Sequence, residues 1–183
     1  VYEQYRVGGR LEKVIEGTKN IVKWKKELKS KTPFIVFQFL VVKPNEHQIE
    51  EVKKLGNEIG VDQVRFKTAQ VYDYENDPNQ LIPTNEKYSR YKKDRNGHMA
   101  IKSGLNNYCW KLWHANVITW DGLVVPCCFD KDATHQLGNI KMQSFKETWN
   151  NDNYKQFRRE LLTSRKNIDI CANCSEGLKV WED

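Results

Sequence analysis

Cys109, Cys127, Cys128, Cys171 and Cys174 are the residues of this chain whose type and spacing could do chemistry, and the first 108 of its 183 residues contain no cysteine. Cys171 and Cys174 are separated by two residues, the spacing at which a tight backbone knuckle turns both sulfurs toward one metal. A lone pair of this kind also serves thioredoxin-type redox chemistry. That use calls for the pair to open a helix after a strand in a βαβ unit, whereas here it follows Asn167-Ile168-Asp169-Ile170. Two further cysteines make a shared site of four thiolates the better reading, and four thiolates suit either zinc or an iron-sulfur cluster. Zinc ribbons usually draw both pairs from knuckles. Here 17 residues part Cys109 from Cys127, which tilts the balance toward the cluster. Cys128 adjoins a ligand and on a strand would point to the opposite face. It reads either as a small buried hydrophobe or as the ligand in place of Cys127. An odd number of cysteines, with no secretion-signal pattern in Val1-Tyr2-Glu3-Gln4-Tyr5-Arg6, argues against a disulfide framework and for a reducing cytoplasm.

The elements that must position these thiols follow from periodicity. Leu11, Val14, Ile15, Thr18, Ile21, Val22, Lys25 and Leu28 recur at helical spacing, predicting a helix from Arg10 to about Lys29 with one buried stripe. Phe34 to Val42 is almost continuously apolar, as expected of a central, parallel strand covered on both faces. After Pro44, Asn45 with Gln48 predicts a helix start, Ile49, Val52, Leu55 and Ile59 its buried face, and Gly60 its stop. Val61 to Thr68 then alternates as a second strand. This order implies βα units and an α/β fold with a parallel sheet. Gln38, Arg65 and Lys67 either point into a ligand-filled cavity or face solvent. Residues 77–105, punctuated by Asp77-Pro78-Asn79 and Asn96-Gly97, read as a linker, leaving 106–183 as a small cysteine-rich α+β domain.

That domain is expected to open with a hairpin, Ala115 to Trp120 and Leu123 to Cys127, around a two-residue type I′ turn at Asp121-Gly122. Such a turn places Asn116 opposite Cys127, with Cys109 a short loop away. Ser144 and Glu147 form a capping box for a helix whose core face is Tyr154, Phe157, Arg158, Leu161 and Leu162. Trp110, Trp113, Trp120 and Trp149 are expected to cover the core and shield the metal site. His135 reads as a turn residue, and Asp130 as either an Asx turn or a partner of backbone amides near the site. The net charge of +6 is concentrated between Lys19 and Lys31, where lysines alternate with apolar residues as on a solvated helix face. Nucleic acid is therefore not the expected partner, and no apolar run approaches the ~20 residues that span a bilayer.

Cys109, Gly122, Cys127 and Cys171-x-x-Cys174, together with Trp120-Asp121-Gly122, Pro126-Cys127-Cys128-Phe129-Asp130, Leu137-Gly138-Asn139-Ile140, Trp149 and Phe157-Arg158, resemble the SPASM domain. This is the auxiliary iron-sulfur module at the C-terminus of many radical S-adenosylmethionine enzymes. Upstream, Tyr5-Arg6-Val7-Gly8-Gly9, Gln38-Phe39 and Asn45-Glu46 are similar to the later strands and helices of the partial (β/α) barrel of those enzymes, over residues 1–76. The resemblance implies one auxiliary [4Fe-4S] cluster on Cys109, Cys127 (or Cys128), Cys171 and Cys174, and ligand contacts in the barrel interior from Gln38 and Lys67. It implies also S-adenosylmethionine in the parent enzyme, a reductant such as flavodoxin or ferredoxin, and a peptide, protein or small-molecule substrate. Two departures are plain. Val180 stands where the family's further cysteines for a second auxiliary cluster would begin, and no CxxxCxxC precedes Cys109, so this chain should not start radical chemistry alone and reads as a piece of a longer protein. The competing expectations are a zinc-ribbon module holding nucleic acid or protein, and a stand-alone protein that keeps the cluster as a structural element.

Overall fold

The computed structural model describes residues 2–102 and 104–174, the side chains of Gln4 and Tyr5 excepted. Val180 and the rest of 175–183 lie outside the described residues. The chain divides at about residue 103 into two units.

In the first unit, helix α1 (Tyr2–Tyr5) and helix α2 (Leu11–Glu27) precede strand β1 (Val36–Val41), helix α3 (Ile49–Ile59) and strand β2 (Gln63–Thr68). β1 and β2 pair in parallel, Gln38 with Arg65 and Leu40 with Lys67, so β1, α3 and β2 form the βαβ unit that the alternating pattern demands. α3 ends at Gly60, whose φ of 86° is the left-handed cap that glycine adopts without strain. Val41, Ile49, Phe66 and Tyr88 make the core, and Lys25 reaches from α2 to Asp62 at 2.6 Å.

Four expectations are corrected here. β1 is not covered on both faces: Gln38 and Leu40 are exposed, and β2 is its one strand neighbour among the described residues. α2 buries only Val22 fully, leaving Leu11, Val14, Ile21 and Trp24 exposed, because α3 meets it along one short line. Asn45 does not cap α3 directly. It sits in a 3-10 turn, Lys43–Gln48, where its buried amide accepts from the Val42 N–H at 2.8 Å and donates to the Leu40 carbonyl at 3.0 Å, closing the end of β1. The segment expected as a linker carries a hairpin, β3 (Tyr91–Lys93) with β4 (Met99–Ile101). It buries Tyr88 and Tyr91, and the Tyr91 hydroxyl accepts from the Val71 N–H at 2.9 Å.

The second unit contains β5 (Val117–Ile118), β6 (Leu123–Val125), β7 (Gly138–Asn139), α4 (Phe145–Asn150), α5 (Asp152–Ser164) and α6 (Asp169–Ala172). β5, β6 and β7 form one antiparallel sheet with β6 in the middle. The turn between β5 and β6 differs from the expected type I′. Val117 pairs with Val125, Thr119 with Leu123, and the Gly122 N–H reaches the Thr119 carbonyl at 3.0 Å. Three residues therefore make the loop, with Gly122 alone at positive φ (92°). Type I′ needs positive φ at two successive positions, and Asp121 instead uses its carboxylate to accept from the Thr119 hydroxyl, holding ordinary backbone geometry. The register is consequently one residue off, so Asn116 is not opposite Cys127. Trp120 sits at the tip, 97% exposed, and shields nothing. The expected single helix after Ser144 is two: the capping box starts α4, and Asn151 caps α5 by accepting from the Tyr154 N–H at 2.8 Å. Tyr154, Phe157 and Leu161 on α5 pack with Leu112, Val124, Leu137, Ile168 and Cys171 to form the core.

Candidate metal centre

All five cysteines line one small cavity, floored by Leu112, Phe129, Phe157, Leu161 and Ile170. They arrive from three directions. Cys109 immediately precedes a 3-10 turn, Trp110–Trp113. Cys127 lies two residues past β6, and its carbonyl accepts from the Asp130 N–H at 3.2 Å, while the nearby backbone N–H groups of Phe129 and Asp130 favour its thiolate. Cys171 is on α6, and the Cys174 N–H closes the knuckle onto the Cys171 carbonyl at 3.1 Å. Cys171 and Cys174 are buried, Cys109 and Cys127 half-buried, and Cys128 exposed. The reading of Cys128 as a buried hydrophobe is thereby corrected: it follows the end of the ladder, so strand alternation no longer fixes its direction.

The thiols feel one another. Burial first, and then Cys128 and Cys174, push the Cys127 thiol up to about 11 against the backbone N–H groups of Phe129 and Asp130. Burial, followed by Cys127 and Cys174, pushes Cys171 up to about 12. These two thiols stay protonated until a cation compensates their thiolates, so metal binding to them must release protons. Among the described residues no three His, Cys, Asp or Glu side chains converge closely enough to hold one ion. Thiols gathered around one apolar cavity are a donor set that suits a soft metal centre, zinc or an iron-sulfur group.

The loops that carry these cysteines are tied down by polar side chains. Asp130 is buried, and its carboxylate accepts from the Thr134 N–H and hydroxyl, each at 2.8 Å, and from the His135 N–H at 2.9 Å. The segment 127–135 is thereby closed on itself. His135 Nε2 meets Asp169 at 2.6 Å, linking that segment to the first residue of α6, and this hydrogen bond holds the Asp169 carboxyl below its usual range. Arg158 lies over Tyr154 and Trp149, with its guanidinium 4.1 and 4.5 Å from the ring centres.

Residues 109–175 match the family model of an iron-sulfur cluster-binding domain, SPASM. The second unit is a SPASM domain. Over 74 residues the chain is 34% identical to the S-adenosyl-L-methionine-dependent 2-deoxy-scyllo-inosamine dehydrogenase of Niallia circulans, a match taking in 40% of this chain and 30% of that protein. Over 190 residues it is 26% identical to the tungsten-containing aldehyde ferredoxin oxidoreductase cofactor-modifying protein of Pyrococcus furiosus, taking in 87% of this chain and 51% of that one. The crystal structure of BtrN in an open conformation matches at 18% identity and a TM-score of 0.34, over 86% of this chain and 64% of that one. The chain is thus a relative of the radical S-adenosylmethionine proteins, and it spans about half the length or less of the curated relatives it matches. No helix among the described residues is long and apolar enough to cross a membrane.

Outside the SPASM domain, Gln38 and Lys67 share the face of the β1–β2 pair turned away from α3, with Arg65 beside them, and all three are exposed. Within it, sequence reasoning missed the burial of Arg165 and the unpartnered hydroxyl of Tyr154, a residue it did place in the core. Arg165 is 2% exposed and lines the cysteine cavity. Tyr154 is fully buried, its hydroxyl has no hydrogen-bond partner among the described residues, and it lies near enough to Cys127 to respond to that thiol's charge. Neither carries a sequence signal. Arg165 stands in a basic run with Lys166, and Tyr154 reads as one more apolar position of α5.

Proposed function

We propose that this chain is the C-terminal portion of a radical S-adenosylmethionine enzyme whose SPASM domain holds one [4Fe-4S] cluster through Cys109, Cys127, Cys171 and Cys174. The observation that carries this reading is the convergence of all five cysteines on one small apolar cavity, with Cys128 alone exposed. When bound, such a cluster supplies one-electron transfer, and four protein ligands leave it no open iron for a substrate. The chain's own residues do the rest. The amides of Phe129 and Asp130 orient and stabilise the Cys127 thiolate, Asp130 closes the loop that presents it, and the His135–Asp169 pair holds α6. The floor of Leu112, Phe157 and Leu161 excludes water from the sulfurs.

The βαβ unit is read as the later part of a partial (β/α) barrel. The open edge of β1 and the exposed polar face of Gln38 and Lys67 are what a neighbouring strand and a bound ligand would cover in the longer protein. There the substrate, a peptide, protein or small molecule, would meet chemistry begun at an N-terminal S-adenosylmethionine site, with electrons delivered by a flavodoxin or ferredoxin. The ligand set is tested by comparing Cys127→Ser with Cys128→Ser in the full chain purified without oxygen. Cys127→Ser should lose the broad visible absorption of the cluster and Cys128→Ser should keep it. The reverse pattern would move the ligand to Cys128, and loss in neither would defeat the assignment.

A further inference from the structure

Arg165 is a buried cation that has no carboxylate partner among the described residues. It follows α5 directly, in the 3-10 turn Arg165–Asn167, and is 2% exposed. Its Nη1 donates to the Tyr108 carbonyl at 2.9 Å and its Nη2 to the Cys174 carbonyl at 3.1 Å. Its Nε is buried with no hydrogen-bond partner among the described residues. Carbonyl oxygens bear only partial charge, so no described residue neutralises the guanidinium, an arrangement that is costly in a low-dielectric interior. The same side chain lines the cavity of the five cysteines, and its charge acts on Cys171 in the direction that favours thiolate. The position thus combines a fixed positive charge, a free donor and a site built to gather thiolates.

We infer that Arg165 is the countercharge of the auxiliary cluster and raises its reduction potential. The inference rests on the cysteine assignment above. Four thiolates outnumber the positive charges of an oxidised [4Fe-4S] core, so the filled site is anionic. It becomes more so when it takes up one electron from a single-electron carrier. A fixed cation at the cavity wall stabilises the reduced state more than the oxidised one, which shifts the couple upward. Cys171 and Cys174 bind on the side that Arg165 flanks, and its bond to the Cys174 carbonyl keeps the charge there.

The test is an anaerobic redox titration of the cluster in the full chain, read by the electron paramagnetic resonance signal of the reduced form. It compares wild type, Arg165→Gln and Arg165→Lys, with dithionite as reductant and iron measured in each sample. Arg165→Gln should keep its iron and signal shape while the oxidised-to-reduced ratio at a fixed potential rises tenfold or more, about 59 mV for one electron. Arg165→Lys should stay close to wild type. Equal midpoints for Gln and wild type, equal shifts for Gln and Lys, or loss of iron from both variants would overturn the inference and leave Arg165 as scaffolding. Loss of iron from Gln alone, with Lys loaded and at the wild-type midpoint, would support it through the charge. Absence of iron and sulfide in the wild-type chain would show instead that the cluster reading itself fails, before any variant is compared.

Discussion

Replacing Asp130 should separate the loop that presents Cys127 from the rest of the SPASM domain. Its carboxylate makes three hydrogen bonds of 2.8 to 2.9 Å, to the Thr134 N–H and hydroxyl and the His135 N–H, from a residue 4% exposed. Bonds to an ionised acceptor contribute about 1.5–3 kcal/mol each, and a donor left unpaired in the interior costs about 1–3 kcal/mol. Thr134 and His135 keep some access to water, so the low end applies to the three bonds, and Asp130→Ala should lose about 4–5 kcal/mol. Asp130→Asn keeps one oxygen for Thr134 and turns an amide N–H toward the His135 N–H, so it should lose about 1–2 kcal/mol. Urea unfolding of the iron-free chain reads both. With a slope of about 1–3 kcal/mol per molar, the alanine variant's midpoint should fall by more than about 1 M, with the asparagine variant between it and wild type. The alanine variant should also load less iron, because the segment that carries Cys127, whose carbonyl accepts from the Asp130 N–H, is no longer held closed. An alanine midpoint indistinguishable from wild type, or an asparagine variant as damaged as alanine, would refute the claim that this carboxylate closes the loop.

Further outcomes follow from the same geometry. Leu161→Ala, at a position 1% exposed that floors the cavity, should cost about 2–5 kcal/mol in denaturant unfolding. Trp120→Ala at the 97% exposed hairpin tip should change stability by no more than about 0.5 kcal/mol, and a larger loss would mean that the tip packs in solution. In the iron-free chain the Cys127 and Cys171 thiols are raised to about 11 and about 12 from an ordinary 9.0. The folded chain therefore keeps protons that the unfolded chain releases. Stability should be full below pH 9 and fall as pH rises toward 12, and a flat profile over that window would contradict the burial of these thiols.

The thiols were legible because residue type and spacing alone carry metal chemistry: Cys171-x-x-Cys174 needs only a local knuckle, and the structure closes it with one backbone bond. The βαβ order was legible for a similar reason, since the switch from period two to helical period at Asn45 and back at Gly60 is written in neighbouring residues. What escaped was set by tertiary neighbours or by a single residue of register. Asp121-Gly122 fits a two-residue turn until Thr119 offers Asp121 a hydrogen bond, which moves every pairing by one and carries Asn116 away from Cys127. The segment 77–105 has no apolar period because its core contacts come from isolated tyrosines: Tyr91 binds Val71, and Tyr88 meets Phe66 with ring centres 5.8 Å apart. Arg165 is one of 30 basic residues, and only burial distinguishes it from the others.

The central claim, that four of the five thiols hold an iron-sulfur cluster, is tested most directly by the iron and acid-labile sulfide content of the full chain purified without oxygen. The account predicts about four iron and four sulfide per chain, with the visible absorption of a thiolate-bound cluster. One zinc per chain, with no sulfide and no colour, would contradict it.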